Sequence, residues 1–383
     1  MISRVAKMDV GLFVATLLLL GLGIVLVYSS SFAVAYGKNL GENYFLFRQI
    51  TRALIAVLLF TVFINVDYRF LSKYGGFIYI CALVLLAGVL FLPESQAVNG
   101  AKRWITLFGV RFQVSDFARM ALIIFLAKKC GDDGAEFDGW RSLIPHYVRI
   151  GVICALVVLE PDFSTCVIIA GIALAMLFVA GVRPRYLLAT GLAILPIVVI
   201  LIKSAPYRMK RLAGFINMQE QGQGAGYQVT QSIVGLGRGG FFGAGLGKGE
   251  QKYFYLPEPH TDFILSVLGE EFGFIGVMLV LLIFAFIVYR GFSISLNAPD
   301  RTGQVMAFGF TMAIALYMLI HASVVTGLLP PTGVPMPFLS YGGMSLIFTM
   351  SSVGILLNIS SHIKTDSVSM AAPARPKRKA LRT

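Results

Sequence analysis

The chain has 383 residues, 57% hydrophobic and 13% charged, and its 32 Lys and Arg against 19 Asp and Glu give a formal charge of +13. Soluble domains carry about 25% charged residues, so the composition excludes a water-soluble globular protein. The basic surplus points to cytoplasmic loops of a membrane protein and not to nucleic acid.

Four scattered cysteines, Cys81, Cys130, Cys154 and Cys166, give no disulfide framework. The histidines stand far apart and form no metal-binding signature. A helix needs about 20 mostly apolar residues to cross a bilayer. That rule predicts ten spans, near 9–28, 49–66, 75–92, 113–128, 147–160, 164–181, 186–203, 262–290, 304–327 and 338–360, the fourth and fifth being short and interrupted by polar residues. The first apolar run, Val10 to Val27, is too long for a signal h-region and is expected to stay as a span. No segment alternates in the manner of barrel strands. The expected fold is therefore an all-α integral membrane protein with about ten transmembrane helices. Its membrane domain covers 1–363, with a long external loop, 204–261, between spans seven and eight. The basic tail 364–383 is expected to be disordered. Placing both termini inside assigns 18 Lys and Arg to the cytoplasm, two (Arg52 and Arg119) to spans and 12 to the outside, seven of the latter in the single long loop 203–261. Long loops obey the positive-inside rule poorly, so both ends are expected to be cytoplasmic, the tail touching anionic membrane lipids.

Charges inside or beside spans are costly and mark functional candidates. In the stretch Asn99 to Arg119, Asn99-Gly100 is a turn signal, and Lys102, Arg103 and Arg111 flank Trp104. Asp116 and Arg119 fall on one helix face. Two readings stay open: a snorkelling basic loop with a self-neutralising ion pair, or cations that hold a lipid-linked phosphate. Next come Glu160-Pro161-Asp162 between spans five and six, where the acids are expected to cap the following helix.

The long loop opens with Lys203, Arg208, Lys210 and Arg211 and continues with 11 glycines between Gly222 and Gly249. Glycine permits close backbone approach to a ligand. The tract lacks the strand and the GK[ST] ending of a phosphate loop, so it is not a nucleotide site. Its apolar residues, such as Val229, Ile233 and Phe241, predict short segments lying on the membrane or the bundle. The loop closes on a dense run of Glu250, Lys252, Glu258, His260, Asp262, Glu270 and Glu271. Pro257 and Pro259 prevent helix before Thr261, so Thr261 or Asp262 fits an N-cap. Against a mere cap stand the neighbouring His260 and Glu258 and the two later carboxylates. Glu270 lies about 12 Å along a helix from Asp262 and wants a partner or a cavity. The uncharged Gly327 to Ser345, rich in Pro and Gly, is expected to line a cavity shielded from lipid.

With these residues in hand the chain resembles the SEDS family of bacterial peptidoglycan polymerases typified by FtsW and RodA. The resemblance runs over residues 9 to 363. It is carried by NGAKRWI at 99–105, FQVSDFAR at 112–119, EPDFST at 160–165, GYQVTQS at 226–232, QKYFYLPEPHTDFI at 251–264, EEFG at 270–273 and GLLPPTGVPMPFLSYGG at 327–343. The wording of the 251–264 motif is closer to the FtsW branch. The chain departs from the family at Gln113-Val114-Ser115-Asp116 and Arg119, where the family reads QPSE and Lys, and at His321, where Asn is usual.

The resemblance implies a glycosyltransferase that polymerises lipid II into glycan strands during cell division, releasing undecaprenyl pyrophosphate. It implies Asp262 as the catalytic carboxylate, in the bacterial cytoplasmic membrane. Arg103, Asp116, Arg119, Lys248, Lys252, Glu258 and His260 are the expected substrate-binding residues, with a divalent cation such as Mg2+ as a candidate cofactor. A class B penicillin-binding protein is the implied partner, beside other division proteins, because the chain has no SxxK transpeptidase motif. The rivals are a lipid II flippase or transporter, which needs polar residues at several depths, and a non-catalytic divisome scaffold.

Overall fold

The computed structural model describes residues 8–93, 102–107, 110–131, 137, 139–217, 224–253 and 255–370. The Asn99-Gly100 turn, the start of the glycine tract at Gly222 and the tail beyond Met370 lie outside these residues.

Every predicted span coincides with a helix. In chain order these are α1 (Val10–Gly37), α2 (Tyr44–Asn65), the short α3 (Tyr68–Lys73), α4 (Gly75–Leu90), α5 (Val114–Gly131), α6 (Trp140–Leu159), α7 (Phe163–Val179), α8 (Pro184–Lys203), α9 (Pro206–Ile216), α10 (Ala225–Gly239), α11 (Ile264–Leu296), α12 (Arg301–Val325) and α13 (Gly343–Met370). Among the described residues seven helices, α1, α2, α6, α8, α11, α12 and α13, are long and apolar enough to cross a membrane. Two more, α4 and α7, are apolar but have only 16 and 17 residues.

Helix α5, the weak fourth span of the sequence, is deeply enclosed. Its residues from Val114 to Ala127 are buried apart from the half-buried Phe117. A helix surrounded by protein instead of lipid tolerates the polar residues that blunt its hydropathy. Helix α8 is its opposite. It is continuously apolar yet buries only Tyr186, as a helix facing lipid does.

Polar side chains tie the bundle at two opposite faces. At one face the Asp9 amide donates to the Ser360 hydroxyl at 3.1 Å and Arg290 donates to the Asp9 carboxylate at 2.7 Å. Beside them the Tyr68 hydroxyl donates to Asp300 at 2.6 Å and the Tyr68 amide to the Asn358 side chain at 3.0 Å. The start of α1 and the end of α13 therefore share a face. Ser29, at the other end of α1, meets the loop residues described below.

Two features were not expected. Trp104–Leu107 (β1) and Val110–Gln113 (β2) form an antiparallel hairpin, Trp104 opposite Gln113, where the sequence reads as turn and helix start. Helix α11, the eighth predicted span, is also broken: Gly273 has φ 68° and ψ −168°, a backbone that favours glycine. The glycine tract plugs this break. Ala244 and Gly245 amides donate to the Glu270 and Glu271 carbonyls at 2.9 and 3.0 Å, and the Phe274 amide to the Gly240 carbonyl at 2.8 Å. A Cβ on Gly239 would overlap the Gly269 carbonyl. The glycines thus serve backbone-to-backbone packing on α11, in place of the close ligand approach expected of them.

Candidate active site

Two polar clusters meet at the face where the long loop closes. The first is built on the hairpin. Arg103 donates through Nε to the Glu160 carbonyl at 2.9 Å and through Nη2 to the Pro161 carbonyl, bolting the hairpin to the α6–α7 turn. Gln113 donates to the Asp162 carboxylate at 3.1 Å, and Asp162 accepts from the Thr165 amide as the cap of α7. The expected capping holds for Asp162 and fails for Glu160. Glu160 is fully buried, and its two carboxylate oxygens have no partner among the described residues. Burial, with the charge of Asp162 adding to it, pushes the Glu160 carboxyl up to about 8 against the pull of Arg103. In α5, Arg119 pairs with Asp116 at 3.3 Å and lays its guanidinium 4.2 Å from the centre of the Tyr317 ring. Both side chains of the pair are buried. Arg119 also lines, with Tyr317 and Pro337, a cavity of about 10 Å³, large enough for one water.

The second cluster is the loop's end. Residues 255–263 run as turns, and α11 begins with Phe263 at the N-cap position and no side-chain cap. Asp262 is therefore no cap. Its carboxylate faces the segment 327–343, where a Cβ on Gly333 would stand 3.6 Å from Oδ2. That segment is held against the loop by the Ser340 hydroxyl, which donates to the Thr261 carbonyl at 2.6 Å, and by the Tyr341 amide, which donates to the His260 carbonyl at 2.8 Å. Burial and then the charge of Glu258 push the Asp262 carboxyl up to about 6, while Thr261 and Arg211 pull it down. His260 is buried, and desolvation, with Lys38 nearby, lowers its imidazole to about 4. Its 3.9 Å approach to the exposed Glu258 is thus no ion pair at neutral pH.

Two side chains expected to bind substrate are engaged within the protein, and Glu270 finds the partner it was expected to want. Lys252 does not wait for a substrate: it is buried, 2.6 Å from Glu271 and 3.0 Å from the Ser29 hydroxyl. Glu270 finds its partner in the backbone, accepting from the Glu250 and Gln251 amides at 2.8 and 3.1 Å. Arg103 spends its donors on backbone carbonyls. Lys248 lies exposed in the glycine tract, and nothing seats it beside Asp262. Among the described residues no three His, Cys, Asp or Glu side chains gather to hold a metal. The residues present therefore do not fit a protein-built cage for a divalent cation, and no step is derived through one.

Arg211, named in the sequence only among the cations that open the loop, lies in α9 in electrostatic reach of Asp262. The same helix docks Tyr207 on the Pro161 carbonyl at 3.1 Å, so α9 bridges the two clusters. Arg52, noted only as a charge inside a span, stacks 4.4 Å from the Tyr341 ring centre. Its signal was a basic residue one turn inside an apolar helix.

A family model described as "Cell cycle protein", for FtsW, RodA and SpoVE, matches residues 10–365. The chain is 40% identical over 366 residues to a probable peptidoglycan glycosyltransferase FtsW of Trichlorobacter lovleyi, covering 94% of this chain and 95% of that one. It is 39% identical over 363 residues to the stage V sporulation protein E of Bacillus subtilis, covering 94% and 99%. Among solved structures it resembles a chain of a peptidoglycan synthase complex, described as coordinating polymerization and crosslinking, with a TM-score of 0.78, 25% identity, and 92% and 97% coverage. The rod shape determining protein RodA of Thermus thermophilus shares the fold, with a TM-score of 0.69 and 24% identity over 92% and 96% of the chains. With matches running from end to end of both partners, the chain belongs to the FtsW, RodA and SpoVE family of cell cycle proteins.

Proposed function

We propose that this chain is a peptidoglycan glycosyltransferase that polymerises lipid II, with Asp262 as the general base. The observation that carries the reading is the Asp262 carboxylate. It sits at the closing turn of the loop, faces the irregular segment 327–343 and has its proton affinity raised toward neutrality. In the step proposed, the acceptor sugar's 4-hydroxyl oxygen attacks the donor's anomeric carbon while Asp262 takes the hydroxyl proton. The bond from that carbon to the phosphate oxygen breaks, and undecaprenyl diphosphate leaves with the bonding electrons. The cations Arg211 and Arg52 supply positive charge at this face. A general base is worth about 10²–10⁴-fold in rate.

The family's description as a cell cycle protein supports a role in cell division. The structural match to a polymerising and crosslinking complex supports a class B penicillin-binding protein as partner. The face carrying Asp262 lies outside and both termini lie in the cytoplasm of a bacterial inner membrane. Mg2+ is kept as a counter-ion travelling on the substrate's own diphosphate, the usual company of that ion.

Asp262→Asn is expected to insert and to bind its partner, yet to yield no glycan polymer from purified lipid II. Near-normal polymer from that variant removes Asp262 from catalysis. The same assay with a chelator tests the counter-ion: a rate restored by added Mg2+ supports it, and an unchanged rate removes it.

A further inference from the structure

Helix α2 carries Phe45, Gln49 and Arg52 at spacings of four and three residues, which places them on one face. That face meets the loop's closing turn. The Phe45 ring lies 4.9 Å from His260 and 5.2 Å from Tyr341, and His260 and Tyr341 lie 5.3 Å apart. The Arg52 guanidinium covers Tyr341. The packing is close, but the hydrogen bonding is incomplete. Both side-chain atoms of Gln49, Nη1 of Arg52 and Nδ1 of His260 are buried, with no partner among the described residues. Gln49 is 0% exposed.

Each such group costs about 1–3 kcal/mol, more when charged, and buried polar groups in native proteins are rarely left alone. Four such atoms, on one face of α2 and on the His260 that packs against it two residues before Asp262, are the mark of a site whose partner is a ligand. The chemistry of the donors selects that ligand. Arg52 and the Gln49 amide offer N–H groups and one full positive charge. The imidazole of His260 stays neutral at physiological pH. A donor-rich recess walled by a guanidinium takes an oxyanion, and a guanidinium fork suits phosphate.

We propose that Gln49 and Arg52 form a phosphate-binding subsite beside Asp262, Arg52 Nη1 and Gln49 Nε2 donating to the oxygens of a lipid-linked diphosphate. Gln49 Oε1 then accepts from a neighbouring hydroxyl or amide of the attached sugar. This assignment rests on the polymerase reading for the identity of the diphosphate. The enclosure itself does not depend on that reading.

The test uses the purified full-length chain in detergent, comparing wild type with Gln49→Leu and Arg52→Lys. Three quantities are read: affinity for undecaprenyl diphosphate, KM for lipid II in polymerisation, and thermal midpoint. Removing one charge-assisted bond is expected to weaken diphosphate binding and raise KM by about 10- to 100-fold for Arg52→Lys, and by about 5- to 10-fold for Gln49→Leu. Without ligand, Gln49→Leu is expected to hold or raise the thermal midpoint, because it removes an unsatisfied buried amide. A structural glutamine would instead lower the midpoint and leave KM alone, which overturns the proposal. Affinity and KM within twofold of wild type in both variants also overturn it, and leave the polymerase reading standing. A wild type that binds undecaprenyl diphosphate but makes no polymer ends the polymerase reading and leaves the subsite. Competition by inorganic diphosphate supports recognition of the anion itself. Equal competition by phosphatidylglycerol reassigns the recess to bulk lipid headgroups and overturns the substrate assignment.

Discussion

At the scale of single residues, the chemistry turns on the proton affinity of Asp262. A base must be ionised to accept the acceptor's proton. With burial pushing this carboxyl up to about 6, the ionised fraction grows as pH rises through that value. Polymerisation is therefore expected to fall with one-proton steepness below about pH 6 and to level off near pH 7. An ordinary histidine would titrate in the same window, but His260 is lowered to about 4 and stays neutral across it. His260→Gln should keep the inflection. Initial rates between about pH 4.5 and 8 decide the matter, and loss of the inflection in that variant would hand the titration to the imidazole. Asp262 was legible in the sequence because a carboxylate behind two prolines, at the mouth of an apolar helix, has few bland explanations. Arg52 and Gln49 were not. Their partners, His260 and Tyr341, lie more than 200 residues away in the chain, and no local pattern announces that juxtaposition.

Among the elements, the loop's fold-back is held by ion pairing and by backbone. Lys252 and Glu271 are 3% and 0% exposed, and a buried pair left with one partner costs about 3–5 kcal/mol. Lys252→Met is expected to lower the thermal midpoint in detergent by several degrees, and Lys252→Met with Glu271→Leu to recover most of that loss. A single variant as stable as wild type would show that the pair does not hold the loop. The sequence reading offered Lys252 to the substrate because an isolated lysine in a loop looks available. Only the return of the loop onto α11, 19 residues later, closes the pair. The hairpin escaped for a related reason: four-residue strands are too short for their alternation to stand out beside a helix start. The helices themselves were readable throughout, since about 20 apolar residues leave a bilayer-crossing chain little alternative. What hydropathy hid was the place of α5, which scores weakly as a span and is deeply enclosed in the bundle.

For the whole molecule, the two polar faces make a topological prediction. Asp9 and Ser360 share one face, and the loop and its carboxylate occupy the other. In a version lacking the native cysteines, Lys248→Cys is expected to react with a membrane-impermeant maleimide in intact cells. Lys73→Cys, an exposed position on the terminal face, should react only after lysis. The reverse pattern would turn the protein over and place its carboxylate away from any extracellular glycan. The separation of the faces also weighs against a transport route, which needs polar groups stepped through the interior.

The interruption of α11 at Gly273 has a mechanical meaning. Because the segment from Gly240 to Gly245 completes the hydrogen bonds that the interrupted helix leaves open, neither piece is whole without the other. The opening turns of α11, with the proposed catalytic carboxylate at their threshold, are thus anchored by the loop as well as by the bundle. A protein that grips the glycines from the outer side takes hold of the reaction centre by its foundation.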